Sequence, residues 1–260
     1  DVGLRLESFD YSLRSISRSE QIKDNYINLF PNFNIRHNLD EKNSISLSGN
    51  RRIERPGYNM LNPFAVTNNP IYFTNGNIYL KPYFANRLDL QYSHQLNDNH
   101  SVLLSLYGNS STNMFAYVSR YNQEVASPEF NYYNDYNQQQ VGGYLMLQNK
   151  FGSKVNISTY LSLQRPTFKS NNSEDILLPG SLNFNGSINT LIHIFPKTTI
   201  QILGFYASVR NSFQMKYGPS GYITTGLQQK VLKDKLNISL TIEDIFNLQI
   251  NNKLKIISIK

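Results

Sequence analysis

The chain has 260 residues, with 25 Lys and Arg against 18 Asp and Glu, a net charge of +7 and a pI near 9.4. A mean hydropathy of −0.43 and apolar runs of only a few residues exclude membrane-spanning helices, which need about 20 consecutive apolar positions. The absence of cysteine excludes disulfides and thiolate metal sites, and the Lys and Arg residues are spread along the chain rather than gathered in the basic stripe of a nucleic-acid surface.

Period-two alternation starts at once. Val2, Leu4 and Leu6 stand against Gly3, Arg5 and Glu7, which predicts a strand over 2–14 because successive side chains of a strand point to opposite faces. A chain that opens inside a strand, with no initiator Met and no signal segment ahead of it, reads as the tail of a longer protein. Further strands are predicted at 25–38, 43–55, 86–96, 100–120, 137–150, 154–168, 181–195, 198–215, 221–232 and 236–246, with a twelfth at 253–259. The alternation is plainest where Leu88, Leu90, Tyr92, His94 and Leu96 face away from Asp89, Gln91, Ser93 and Gln95. It returns where Leu182, Phe184, Ile188, Ile192 and Ile194 face away from Asn183, Asn185, Ser187 and Asn189.

The connections alternate too. Tight turns rich in Asn, Asp, Gly and Lys fall at Leu39–Lys42, Asn97–His100, Phe151–Lys154, Pro196–Thr198 and Lys233–Lys235, as hairpins require. Long irregular links fall between them at 15–24, 56–85, 121–136 and 169–180, with a shorter one at 218–221. Short turns at one end and long loops at the other mark an up-and-down transmembrane β-barrel, with turns periplasmic and loops extracellular. A soluble sandwich has shorter strands and buries its apolar faces against each other. The predicted fold is therefore all-β: an antiparallel up-and-down transmembrane β-barrel.

The link after the third strand reads Arg51-Arg52-Ile53-Glu54-Arg55-Pro56-Gly57-Tyr58-Asn59-Met60-Leu61-Asn62-Pro63-Phe64, then Asn75-Gly76-Asn77-Ile78-Tyr79-Leu80-Lys81-Pro82. It resembles the "Arg-Pro-x-Tyr-x-x-Leu-Asn-Pro-Phe" and "Gly-Asn-Pro-x-Leu-Lys-Pro-Glu" segments of the outer-membrane β-barrel family of TonB-dependent-receptor-like proteins of Bacteroidota. Tyr26-Ile27-Asn28-Leu29-Phe30-Pro31 and Ile242-Glu243-Asp244-Ile245-Phe246-Asn247 are similar to two further family segments and occur in the family's order. Ile78 replaces the usual Pro and Tyr83 the usual Glu, and the chain ends Ile257-Ser258-Ile259-Lys260 without the family's terminal aromatic residue.

The resemblance implies that residues 1–260 form one β-barrel domain, the C-terminal part of a roughly 22-stranded barrel whose plug is absent from this chain. It also implies a location in the bacterial outer membrane, contact with outer-membrane lipid, and binding and uptake of an unknown substrate. A TonB-type energy-coupling system would act only through the missing plug. The alternatives are a secreted or surface β-rich binding module, an adhesin or glycan binder, and a non-functional barrel fragment. Detergent dependence separates a lipid-facing barrel from a soluble module.

No catalytic constellation is present in the sequence. His37, His94, His100 and His193 have no metal-ligand spacing, the adjacent pair Glu243-Asp244 faces opposite ways on a strand, and no phosphate loop or nucleophile elbow occurs. No enzyme activity, cofactor or metal is expected. The candidate ligand-binding residues are loop aromatics and carboxylates, which suit sugars, peptides or cationic chelates. Tyr58, Phe64 and Tyr72 lie in the long link, and Glu124, Glu129, Tyr132, Tyr133, Asp135 and Tyr136 lie in the loop Tyr121–Asn137. The loop at 169–180, with Glu174 and Asp175, is a weaker version.

Overall fold

A computed structural model describes residues 1–15, 20–62, 74–122, 127–173, 175–233, 235–248 and 255–256. Its strands are β1 (Val2–Ser15), β2 (Glu20–Asn38), β3 (Asn43–Glu54), β4 (Thr74–Asn75), β5 (Tyr83–Asn97), β6 (His100–Asn122), β7 (Ser127–Phe151) and β8 (Val155–Ser170). They continue with β9 (Asn183–Phe195), β10 (Thr198–Ala207), β11 (Arg210–Ser212), β12 (Met215–Tyr217), β13 (Ser220–Val231), β14 (Leu236–Ile242) and β15 (Lys255–Ile256). A single helical turn, α1 (Tyr58–Leu61), interrupts the long link.

The main sheet runs β1-β2-β3-β5-β6-β7-β8-β9-β10-β13-β14, each strand antiparallel to its neighbour in an unbroken meander. Among the described residues β1 and β14 are its two edges and the sheet does not close. Each predicted turn joins two of these strands. At the first, Asp40 accepts the backbone N–H of Lys42 at 2.7 Å and of Asn43 at 2.8 Å.

Register explains the two faces. Ile35, Leu47, Leu90, Leu106, Gly143, Leu163 and Phe184 occupy consecutive cross-strand positions from β2 to β9. One residue along, Arg36, Ser46, Gln91, Ser105, Tyr144, Ser162, Asn185 and Ala207 form the opposite row, polar as far as β9. The apolar row is the exposed one: Val2, Leu29, Ile35, Leu106, Leu163, Ile188 and Leu240 all stand open, and among the described residues no second sheet covers them. Ser105, by contrast, is wholly buried on the polar face. This inverts a soluble sandwich and is the arrangement that lipid outside a polar lumen requires.

Four expectations are corrected. Residues 121–136 are not an irregular loop, because β6 and β7 pair from His100–Asn149 to Asn122–Ser127 and run as strand through most of it. Register shifts between Ser111 and Met114 and again between Met114 and Ala116 break the alternation there, and a bulge hides a strand from any period-two reading. The strand predicted at 198–215 stops at Ala207 and re-forms as the small β11–β12 hairpin. At 253–259 only Lys255–Ile256 is described, and it pairs with Met215 and Lys216 rather than extending the main sheet. The family-like segment at 242–247 is a turn beyond β14, in which Asp244 (φ 46°) caps Leu248 N–H through its carboxylate at 2.8 Å.

Candidate functional site

The β6–β7 hairpin outruns its neighbours. Pairing of β5 with β6 ends at Phe84–Thr112 and of β7 with β8 at Tyr136–Ser170, so the upper part of the hairpin stands above the sheet. On the outward row of β7 the apolar residues also stop at Val141, with Gln139 and Asn137 beyond it, so this upper part lies above the lipid band.

Three chain segments dock on the projecting hairpin. The first is the long link: β4 pairs with Phe130 and Asn131 of β7, and Asn77 donates to the Tyr132 carbonyl at 2.8 Å. The Asn134 side chain clips the link by accepting from Lys81 N–H at 2.7 Å and donating to the Lys81 carbonyl at 2.9 Å. Within the link, Gly76 and Asn77 donate to the carbonyls of Asn62 and Met60, each at 2.7 Å. A β-carbon at Gly76 would stand 2.2 Å from the Asn62 oxygen, which is why glycine is needed here.

The second is the β11–β12 hairpin, which folds back over the sheet. Gln214, buried at its turn, accepts from Ser119 N–H at 2.8 Å and donates to the Ser119 carbonyl at 3.2 Å. One side-chain amide thus completes the ladder that β6 lacks. Phe213 meets Tyr136 edge-on at 5.0 Å and Phe168 at 4.8 Å between ring centres. The third is the link after β8. Its Leu177 joins Phe213, Met114 and Tyr133 around the buried cluster Ala116, Val118 and Tyr136.

Asp175 anchors that link. Its side chain is 1 % exposed and accepts four hydrogen bonds: Arg120 Nε and Nη2 at 2.9 Å each, Tyr136 Oη at 2.6 Å and Ser170 Oγ at 2.7 Å. Arg120 also donates to Asp135 at 2.7 Å and lies 3.7 Å above the Tyr133 ring. Burial pushes the Asp175 carboxyl up, but the bonds from Arg120, Tyr136 and Ser170 outweigh it and hold the group below its ordinary range. Burial, and the carboxylate it donates to, push the Tyr136 phenol above its ordinary value.

Beneath this cap the polar face carries hydrogen bonds that cross from strand to strand. Ser105 donates to Asp89 at 2.8 Å, Arg87 donates to Asp89 at 2.6 Å, and the Arg87 guanidinium lies 4.0 Å over the Tyr107 ring. Tyr107 and Gln140 both donate to Gln164, at 2.8 and 2.5 Å, and Gln91 donates to Tyr144 at 2.9 Å.

Of the residues picked from sequence, Tyr132, Tyr133, Asp135 and Tyr136 are brought together on β7. Tyr136 is fully buried and therefore closed off. Tyr58 is exposed on α1. Glu129 is opposite Arg120 in the ladder. Phe64, Tyr72, Glu124 and Glu174 lie outside the described residues. Arg120, Gln214 and Asn134 were missed, since nothing local marks them: their partners lie 15 to 95 positions away. Among the described residues no cluster of His, Asp and Glu has the makings of a metal site.

Residues 1–258 match the outer membrane protein beta-barrel family. The chain belongs to this family. A family member of this kind resides in the bacterial outer membrane, with lipid on its apolar face. Its fold is similar to that of the siderophore receptor PirA from Pseudomonas aeruginosa (13 % identity, TM-score 0.65, covering 90 % of this chain and 42 % of that one). It is also similar to the FrpB iron transporter from Neisseria meningitidis (16 %, 0.64, 95 % and 38 %) and to the copper transporter OprC (14 %, 0.66, 95 % and 39 %). This family member thus spans about two fifths of the length of those structures. No curated protein matches it in sequence.

Proposed function

We propose that this family member is part of an uptake receptor, a single β-barrel domain whose extracellular cap binds a substrate and admits it to the polar lumen, without catalysis. The observation that carries the reading is the cap itself: three extracellular segments converge on the β6–β7 hairpin above a polar face bonded across its strands. Irregular chain over a barrel mouth is where such proteins place recognition. We assign binding of a sugar, peptide or cationic chelate to the aromatic and acidic groups of Tyr58, Tyr132 and Asp135, together with Glu129 of β7 and the sequence candidates Phe64, Tyr72 and Glu124. The solved relatives named above are siderophore, iron and copper proteins by description, which favours a metal chelate. Energy coupling would come from a TonB-type partner acting through a plug domain.

The test is accumulation of labelled ferric siderophores, copper and soluble glycans by cells with and without the gene, and by cells lacking the energy-coupling system. Loss of one substrate in both mutants is expected; unchanged accumulation of every substrate overturns the reading. In the intact protein, a disulfide joining Ser119→Cys and Gln214→Cys is expected to block uptake until it is reduced.

A further inference from the structure

The outward wall is hollowed where β6, β7 and β8 meet. Gly143 stands in the apolar row between Leu106 and Leu163, and its missing side chain leaves a groove of about 630 Å³ on the lipid side. Val141, Leu145 and Leu161 complete its apolar walls, and Arg165 lines it too. A second groove of the same volume adjoins it, lined by Gly186, Gly204 and Gly221, with Leu161 and Phe184 common to both.

Arg165 marks the extracellular end of the first groove. It pairs across the sheet with Val141, the last apolar residue on the outward row of β7, and Lys169 follows on the same row opposite Asn137. Gln164, between Leu163 and Arg165, points the other way and meets Tyr107 and Gln140 on the lumen face. Arg165 and Lys169 are therefore outward, and both are exposed. Strand rise separates them by about 13 Å. Among the described residues neither has a hydrogen-bond or ion-pair partner. The adjoining wall supplies no acid, since residues 100–112, 137–151 and 155–170 contain neither Asp nor Glu. An apolar groove topped by unpaired cations at the margin of the lipid band is complementary to a lipid with phosphate above its acyl chains.

We propose that this groove binds a phosphorylated, multiply acylated glycolipid of the extracellular leaflet. The Arg165 guanidinium takes a headgroup phosphate in a two-pronged bond, and Lys169 supplies a second cation farther out. One acyl chain lies over Gly143 between Leu106 and Leu163, and others lie in the adjoining groove over Gly186 and Gly204. The extracellular leaflet of an outer membrane is built of such glycolipid, and the cations stand at that end of the groove. The site faces away from the lumen and is separate from the substrate path.

The test uses the intact protein, extracted in neutral detergent and stripped of lipid. It is titrated with diphosphorylated lipid A, with the same lipid after enzymatic removal of its phosphates, or with phosphatidylglycerol, and bound lipid is counted by native mass spectrometry. Diphosphorylated lipid A is expected to be retained at lower concentration than the other two. Arg165→Gln with Lys169→Gln removes its advantage over the dephosphorylated form, at roughly fivefold per cation. Leu106→Trp, which fills the groove and leaves both cations, weakens retention of both forms. Lys150→Gln, on the lumen-facing row of β7, changes nothing. Equal retention of the two forms, a preference that survives the double substitution, or undiminished binding by Leu106→Trp overturns the proposal. So does phosphatidylglycerol bound as tightly as lipid A, or a second protein copy bound in place of lipid.

Discussion

Arg120 and Asp175, 55 positions apart in the sequence, meet through two hydrogen bonds of 2.9 Å at the buried centre of the extracellular cap. Arg120 lies on β6 and Asp175 in the link after β8, so the pair ties that link to the projecting β6–β7 hairpin. An arginine fork against a carboxylate, bonded bidentately and shielded from water, is a strong form of ion pair.

Removing one partner leaves the other buried and uncompensated, which costs about 3–5 kcal/mol in fully buried pairs. Arg120 keeps some solvent contact, with 22 % of its side chain exposed, so Arg120→Met is expected at the lower end of that range. Amide exchange over 171–182 reports it, and should accelerate by about two orders of magnitude. Replacing both residues with Met and Leu should cost less than the two single changes added together.

The same contacts set a pH window. Asp175 titrates below its ordinary value of 3.8, so its contribution is complete above about that value and is lost as pH falls through the lowered one. Tyr136 titrates above its ordinary value of 10.0, so its contribution is complete below that value and is lost as pH rises through the raised one. Exchange over 171–182 should therefore be flat between about pH 4 and pH 10 once corrected for intrinsic rates, and rise on either side.

Gly180 crosses β8 at close range: a β-carbon there would stand 1.6 Å from the Pro166 carbonyl oxygen. Gly180→Ala must move backbone, and overpacking of this kind costs about 1–3 kcal/mol. Proteolysis of the link after β8 should quicken while the main sheet stays folded.

The two faces of β14 predict opposite responses to charge. Ile238 is exposed on the apolar row and Ser239 is its neighbour on the polar row. Ile238→Arg is expected to destabilise the barrel by about 2–4 kcal/mol in bilayers, and Ser239→Arg to be close to neutral. Equilibrium unfolding from lipid vesicles separates them.

The barrel wall was legible because lipid imposes a rule on every second residue. Where that rule applies, as on Leu88–Leu96, strand, face and turn followed from alternation. The hairpin above Val141 has water or protein on both sides, so nothing enforced the alternation. Tyr132, Tyr133, Asn134 and Tyr136 of β7 then read as loop. The family-like link was legible as a segment, but its reason was not: Gly76 is glycine because Asn62, 14 positions earlier, lies against it. At 198–215 no local signal tells an inward hairpin from a longer strand, since the contact that stabilises it is Gln214 on Ser119, 95 positions away.

Sequence by itself determined the membrane-spanning wall of this protein, its polar lumen and its tight periplasmic turns, because period and turn chemistry are local properties. Only the tertiary structure decided which chain segments cap the mouth and which carboxylate is buried there. Those choices rest on single long-range hydrogen bonds and close contacts, whose partners acquire meaning only once the strands are in register.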